Sequence, residues 1–291
     1  MPGAVRVRIW DVEHGACAMV QHLTGTQGSR LAMIDSGRSD AWNPAAYIKG
    51  HLGRTTLDYL FITNADRDHM NGLQGLEDAG IAISTLYRNR TYTAQQIEQI
   101  KLKSGPLGSD AKQYVRLCDT YNQAVPAPFN QNMNGITEVT FRNPYPTFTD
   151  TNNLSLVVFI KYANFKILFP GDLEKPGWLA LLQDATFRAE LVGTDVLVAS
   201  HHGRESGFCQ DIFKYFTPAC VVISDKPIMH ETQKTVPDYR NVVRTAGINV
   251  QISAGRPNIS NPRHVLTTRS DGWIQFDVDD THYKIETEYA R

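Results

Sequence analysis

Three apolar runs, far apart in the chain, each end at side chains of the metal-ligand type. "LFIT" leads into Asn64, Asp66, Asp68 and His69, "KILFPG" into Asp172, and "VLVAS" into His201 and His202. A short apolar run bounded by turn residues reads as a buried strand. In layered α/β structures ligands bind where strand ends from distant segments meet, so this pattern restricts the chain to folds in which several strand termini converge. Singly, Asp172 reads equally well as a turn carboxylate and the paired histidines as a loop cap. Together they favour a metal site formed by Asp68, His69, Asp172 and one of the two histidines, because carboxylate and neutral imidazole suit Zn²⁺, Mn²⁺ or Fe²⁺.

The remaining pattern supplies the elements that would carry those ends. Residues 4 to 11 alternate Val, Arg, Val, Arg, Ile, Trp as a strand, and "ACAMVQHL", "RLAMIDSG" and "LDYLFIT" follow as further strands. "WNPAAYIKGHLG" has helical composition, with Asn43 and Pro44 as start signals and Gly53 as the stop. "LSLVVFIKY" and "FKILFPGD" form a hairpin turning through Ala163 and Asn164, and "WLALLQD" reads as a short helix. "TDVLVASHHG" and "ACVVISD" are strands, "VPDYRNVVRTAG" is a helix closed by Gly247, and "GWIQFDV" with "HYKIET" ends the chain as β. Residues 88 to 150 differ. They hold two helical stretches, "TAQQIEQIKL" and "SDAKQYVRLCDTYNQA", and the polar segment "PAPFNQNMNG". Neither half has the apolar residues for a core of its own, so 88–150 is read as an insertion or cap within one domain spanning 1–291.

A hydrophobic fraction of 42% over 291 residues suffices for a sizeable core. The formal charge of −1 gives no global field for nucleic acid. Cys17, Cys118, Cys209 and Cys220 are widely spaced without a C-x-x-C pair, which argues against a zinc ribbon or a disulfide framework and for a reduced compartment. The N-terminus lacks the pattern of a signal peptide and no segment approaches the ~18 apolar residues of a membrane helix, so a soluble, cytoplasmic protein is expected.

The order of "DVEHGACAMV", "MIDSG", "ITNADRDHMNGL", "NNLSLVVFIKYANFKILFPGDLE", "DVLVASHHGRESG" and "VVISD" resembles the metallo-β-lactamase fold superfamily. More narrowly, it resembles the soluble hydrolase domain of competence-type DNA-uptake proteins and its free-standing relatives. The resemblance runs from about residue 5 to the C-terminal strands, with 88 to 145 unmatched. It implies an α/β fold of four layers, an αββα sandwich, and a metal-dependent hydrolase. The family signature His-x-His-x-Asp-His falls on Asn64, Asp66, Asp68 and His69, so both leading histidines are replaced. The resemblance gives Asp68 and His69 to the second metal, Asp172 the role of bridging carboxylate, and His201 or His202 that of last ligand. Asn153 and Ser155 match the branch's usual Asn and Ser where other relatives carry a third-motif histidine.

One or two divalent ions (Zn, Mn or Mg) are therefore expected. Asp66, with Asn64 as a weak carbonyl ligand, would make a harder first site that favours Mn²⁺ or Mg²⁺. A single ion would still activate water to attack phosphorus, but would not clamp both attacking and leaving oxygens. The expected reaction is hydrolysis of a phosphodiester in a nucleic acid or nucleotide, with Asp68 or Asp172 holding the metal or accepting a proton. His230, which matches a branch position often occupied by His and reads otherwise as a solvated loop residue, would assist the leaving group. Two alternatives stand beside it: a catalytically silent binding module, motivated by the lost histidines, and a hydrolase of an ester, lactone or thioester. Asp35 matches the family position that orients metal ligands, and reads equally as a strand-end turn carboxylate. His14, in the first turn, reads equally as a surface histidine. Lys226 and Arg204, near strand ends, are candidates for a phosphate contact, although most isolated Lys and Arg are surface charges.

Overall fold

The computed structural model describes residues 4–23, 30–123, 129–226, 234–252 and 262–289. Its strands are β1 (Val5–Ile9), β2 (Ala18–His22), β3 (Leu31–Ile34), β4 (Thr56–Phe61), β5 (Ala82–Tyr87), β6 (Thr137–Arg142), β7 (Leu156–Tyr162), β8 (Phe165–Phe169), β9 (Val196–Val198), β10 (Cys220–Ile223), β11 (Val250–Ile252), β12 (Val265–Thr267), β13 (Ile274–Val278) and β14 (Tyr283–Thr287). They form an eight-stranded sheet in the order β11-β14-β13-β1-β2-β3-β4-β5 and a six-stranded sheet in the order β12-β10-β9-β8-β7-β6. The helices are α1 (Pro44–Ala46), α2 (Arg67–Met70), α3 (Leu73–Asp78), α4 (Ala94–Leu102), α5 (Ser109–Thr120), α6 (Phe129–Asn132), α7 (Lys175–Leu181), α8 (Ala185–Leu191), α9 (Val236–Val242) and α10 (Thr268–Asp271).

Alternation along the strands sorts the apolar side chains into three cores, because successive residues of a strand face opposite sides of its sheet. Ala32 and Ile34 of β3 turn inward to meet Val158, Ile167 and Val222 of the other sheet. Leu31 and Met33, one residue out of phase, pack outward with Ile48, Leu73, Ile97 and Leu117. On the second sheet, Val157, Phe159, Leu168 and Val221 face outward onto Trp178, Phe187 and Tyr239 of α7, α8 and α9. The layers are thus helix, sheet, sheet, helix: the αββα sandwich expected from the sequence. No described helix is long and apolar enough to cross a membrane.

Several expected elements lie where the residues place them. Asn43 caps α1 by accepting from Ala45 N at 2.8 Å, with Pro44 at the first helical position, after which Tyr47–His51 continue as one π-helical turn. Thr93 and Gln96 form a capping box at the start of α4. The hairpin of β7 and β8 turns at Ala163, which takes a φ of 48°. Residues 88–150 are not uniform. Helices α4 and α5 bury Ile97, Ile100, Tyr114 and Leu117 in the outer core of the first sheet, while Thr137–Arg142 pairs with β7 as the edge strand of the second sheet. The strand over Ala82–Tyr87, the short helix Ala185–Leu191 and β6, whose alternation is confined to Val139 and Phe141, lie outside the elements the sequence predicts. All four cysteines are buried and unpaired.

β3, β4 and β5 run parallel, as do β8, β9, β10 and β12. The carboxyl ends of β3, β4, β8, β9 and β10 are each followed within a few residues by a side chain or carbonyl of the site described next.

Candidate metal centre

Four side chains from three strand ends meet: Asp68, His69, Asp172 and His202 offer ligand atoms that all lie within 4.8 Å of one another. Asp68 and His69 come from α2, which a short loop, 62–66, joins to β4; Asp172 follows β8 and His202 follows β9. Gly171 takes a φ of 60°, and a Cβ there would stand 2.9 Å from Thr63 Oγ1, so the chain turns close against β4 before presenting Asp172. Asp35, His201 and His202 hold the left-handed conformation with φ of 58°, 51° and 53°. Side chains of this kind adopt it at a cost of ~1–3 kcal/mol, and such residues gather at functional sites.

Both histidines of the cluster have their outer nitrogen tied. His69 Nδ1 lies 2.8 Å from Asp35 Oδ2, and His202 Nδ1 donates to the Ser224 carbonyl at 2.9 Å. Each Nε2 then faces the cluster: that of His69 is 2.9 Å from Asp172 Oδ1, and that of His202 is 3.1 Å from Asp68 Oδ2 and 3.5 Å from Asp172 Oδ1. His202 Nε2 is buried without an aligned hydrogen bond despite those neighbours. Asp35 is itself fixed, accepting from Thr63 N at 2.7 Å and from Thr63 Oγ1 at 2.5 Å. Ligating histidines ordinarily donate their second N–H to a carboxylate or a carbonyl in this way. A cavity of about 30 Å³ lined by Asp35, His69, Asp172, His202 and Ser224 gives room for at least one small ion. The donor set, two imidazoles and two carboxylates with an orphaned nitrogen among them, therefore fits a divalent cation.

Within the cluster the carboxylates and imidazoles stabilise one another's charged forms. Burial would raise the Asp172 carboxyl, but His69 and His202 hold it at about 2. Burial likewise opposes ionisation of Asp68, yet its contact with His202 and the charges of His69, His202 and His14 keep it well below the carboxylate range. Burial would depress the His69 imidazolium; Asp172 and Asp35 overcome it and hold the pKa well above the ordinary value. His202 is raised for the same reason, by Asp172 and Asp68 against its burial. His14 goes the other way, down to about 4, through burial and the repulsion of His202.

The other expected site residues lie elsewhere. Asp66 accepts from Lys101 Nζ at 2.5 Å and from Thr151 Oγ1 at 2.9 Å, and Asn64 turns its amide oxygen to Asp66 N at 2.7 Å. Neither belongs to the cluster. The Asn64 amide nitrogen reaches Ser155 Oγ at 3.3 Å, and the same Oγ accepts from Asp172 N at 3.1 Å. Of the paired histidines, His202 enters the cluster, while His201 Nδ1 lies 3.0 Å from Ser206 Oγ and 3.3 Å from Glu174 Oε1. Asn153 serves structure, its Oδ1 accepting from Gly177 N at 2.9 Å. His230 lies outside the described residues. His14 adjoins the cluster, Nε2 standing 3.3 Å from Asp68 Oδ2. Lys101 carries no signal of this role in the sequence, since it sits in an amphipathic stretch whose period says nothing of one lysine reaching back 35 positions to Asp66.

No family model and no curated protein sequence matches the chain. Solved structures that resemble it include a diphosphatase from the PhnP family, 10% identical over 94% of this chain and 99% of that one, with a TM-score of 0.43. Another is a protein of Parabacteroides distasonis ATCC 8503 described as a metal-dependent hydrolase, 10% identical over 90% and 93% of the two chains, TM-score 0.44. A third is Zn²⁺-bound PqqB from Methylobacterium extorquens, 13% identical over 66% and 71%, TM-score 0.37.

Proposed function

We propose that the chain is a metal-dependent hydrolase whose substrate is a phosphodiester, in a nucleic acid or a nucleotide. One observation carries the reading: four donor atoms converge, with Nδ1 of His69 and of His202 each tied to an oxygen behind it, as metal-ligating histidines ordinarily are. A divalent ion held by Asp68, His69, Asp172 and His202 supplies Lewis acidity toward a phosphoryl oxygen and an acidified water. Asp35 keeps the His69 ring in one tautomer, and the Ser224 carbonyl does the same for His202. Asp68 Oδ2 lies 3.1 Å from His202 Nε2 and 3.3 Å from His14 Nε2, so the two imidazoles orient the carboxylate toward the ion it would hold. Asp66 and Asn64 are read as supports of this loop rather than as ligands. Arg204, close enough to depress His14 and His201, and Lys101 supply cations suited to a phosphate. The phosphodiester itself rests on the sequence resemblance to the hydrolase domain of competence-type DNA-uptake proteins.

Protein purified without chelator and reconstituted with Mn²⁺, Mg²⁺ or Zn²⁺ should hydrolyse bis(p-nitrophenyl) phosphate, single-stranded DNA, RNA or a cyclic nucleotide, and lose that activity in EDTA. Absence of turnover with all three metals sinks the hydrolase. A second reading, a silent binding module, is favoured by one observation, the capture of Asp66 by Lys101. Less than one equivalent of metal after reconstitution decides for it.

A further inference from the structure

Beside the metal cluster lies a cavity of about 290 Å³, lined among others by Arg67, Met70, Lys101, Leu107, Asp110 and Ala111. We propose that this cavity is a recognition site for an organic phosphate, a ring system bearing a phosphate group. The proposal rests on the hydrolase reading in one respect, that the ligand held here is the part of the substrate that does not react.

The four-residue helix α2 separates the two sites. Residues three apart on a helix share a face, so Arg67 and Met70 look into the cavity while Asp68 and His69 between them carry the metal cluster. Lys101 joins the two sides: it lines the cavity, and its ammonium is 2.5 Å from Asp66 Oδ1 at the head of α2. The interior is apolar on one side, with Met70, Leu107 and Ala111, and a volume near 300 Å³ stands at the small end of ligand pockets. That side suits a flat, weakly polar ring.

Charge decides the other half of the ligand. Arg67 is exposed and has no ion-pair partner among the described residues. Lys101 carries three N–H donors and the carboxylate of Asp66 takes one of them. Asp66 offsets the Lys101 charge from outside the lining, and Asp110 within it already accepts from Gln74 N through Oδ1 at 3.3 Å, so among the described residues Arg67 is the cation without an ion-pair partner here. The first turn of the 12-residue α5 opens at the same place, and Gly108 before it brings no side chain to cap its N–H groups. A phosphate at the rim would meet a guanidinium and an ammonium with the helix start as background, while its ring fills the apolar side.

Calorimetric titration with adenosine 5′-monophosphate, p-nitrophenyl phosphate, adenosine and inorganic phosphate tests this on the metal-loaded protein and again after metal removal. Both ring phosphates should bind in both states, at least tenfold tighter than adenosine or phosphate alone. Leu107→Trp fills the cavity from a half-buried loop position outside the three cores and should weaken them tenfold or more, with metal content and melting temperature unchanged. Arg67→Ala should weaken them several-fold. Ring phosphates that fail to bind, or that bind Leu107→Trp as well as the unaltered chain, overturn the proposal, as does inorganic phosphate binding equally tightly. Turnover of bis(p-nitrophenyl) phosphate separates the two readings: its absence with ring-phosphate binding intact removes the hydrolase alone, whereas turnover without that binding removes the cavity alone.

Discussion

Lys101 Nζ stands 2.5 Å from Asp66 Oδ1, so an ammonium from α4 occupies the carboxylate that the sequence pattern offers to a metal. A cation cannot share that oxygen with a second cation at close range without repulsion. Asp66→Ala and Asn64→Ala should therefore leave the metal content at the level of the unaltered protein, measured by mass spectrometry of the metal after gel filtration. Asp172→Ala and His202→Ala should lower metal affinity by more than ~100-fold, beyond what loss of an outer partner costs. Equal losses in both pairs of variants would restore Asp66 and Asn64 as ligands.

Asp35 does two things at once: it holds the His69 ring at 2.8 Å and satisfies the Thr63 amide at 2.7 Å. Asp35→Ala should weaken metal binding by ~10–100-fold, seen in competition with a chromophoric chelator. It should also cost the metal-free protein ~1–3 kcal/mol in urea unfolding, because a buried N–H loses its acceptor. An unchanged metal affinity would mean that His69 keeps its orientation through packing alone.

At Gly171 the backbone φ of 60° and the approach of Thr63 and Ser155 leave no room for a side chain, a Cβ lying 2.9 and 3.0 Å from their hydroxyl oxygens. Gly171→Ala should lose ~1–3 kcal/mol of stability and displace Asp172, so that metal affinity falls with it. Urea denaturation and chelator competition on the same sample check both; stability lost with metal affinity retained would show that Asp172 is positioned by Ser155 and not by the turn.

The legible part of this structure was what period and ligand chemistry mark. Strand runs such as Leu31–Ile34 and Leu156–Ile160 are uniformly apolar because both faces are covered, and Asp68, His69 and Asp172 stand within a few residues of the end of such runs. The paired histidines could not be resolved by sequence, since neighbours in a left-handed turn point apart for reasons of backbone geometry: His202 enters the cluster and His201 turns to Glu174. Strand β6 was hidden because its alternation is short, only Val139 and Phe141 between Glu138, Thr140 and Arg142, and as an edge strand it is half-covered along Thr137–Phe141. Lys101 was hidden by distance in sequence, as any long-range ion pair is.

Asp225 gives the chain a pH dependence apart from the metal. It follows β10, is fully buried, pairs one oxygen with Arg269, and leaves Oδ1 without a partner. Burial raises its carboxyl to about 7, against the pull of Arg269 and His202 and with a small push from Asp11. In the unfolded chain the group titrates near 3.9. Between these values the folded state holds a proton that the unfolded state has released, so stability from this group is complete below about pH 4 and falls as pH rises toward about 7, by up to a few kcal/mol. Asp225→Asn keeps an acceptor for Arg269 and cannot ionise. Relative to the unaltered protein, its stability in urea should therefore improve between pH 5 and pH 8, both measured with chelator present so that metal binding does not enter. A constant difference between the two proteins across that range would show that Arg269 holds the carboxylate ionised throughout.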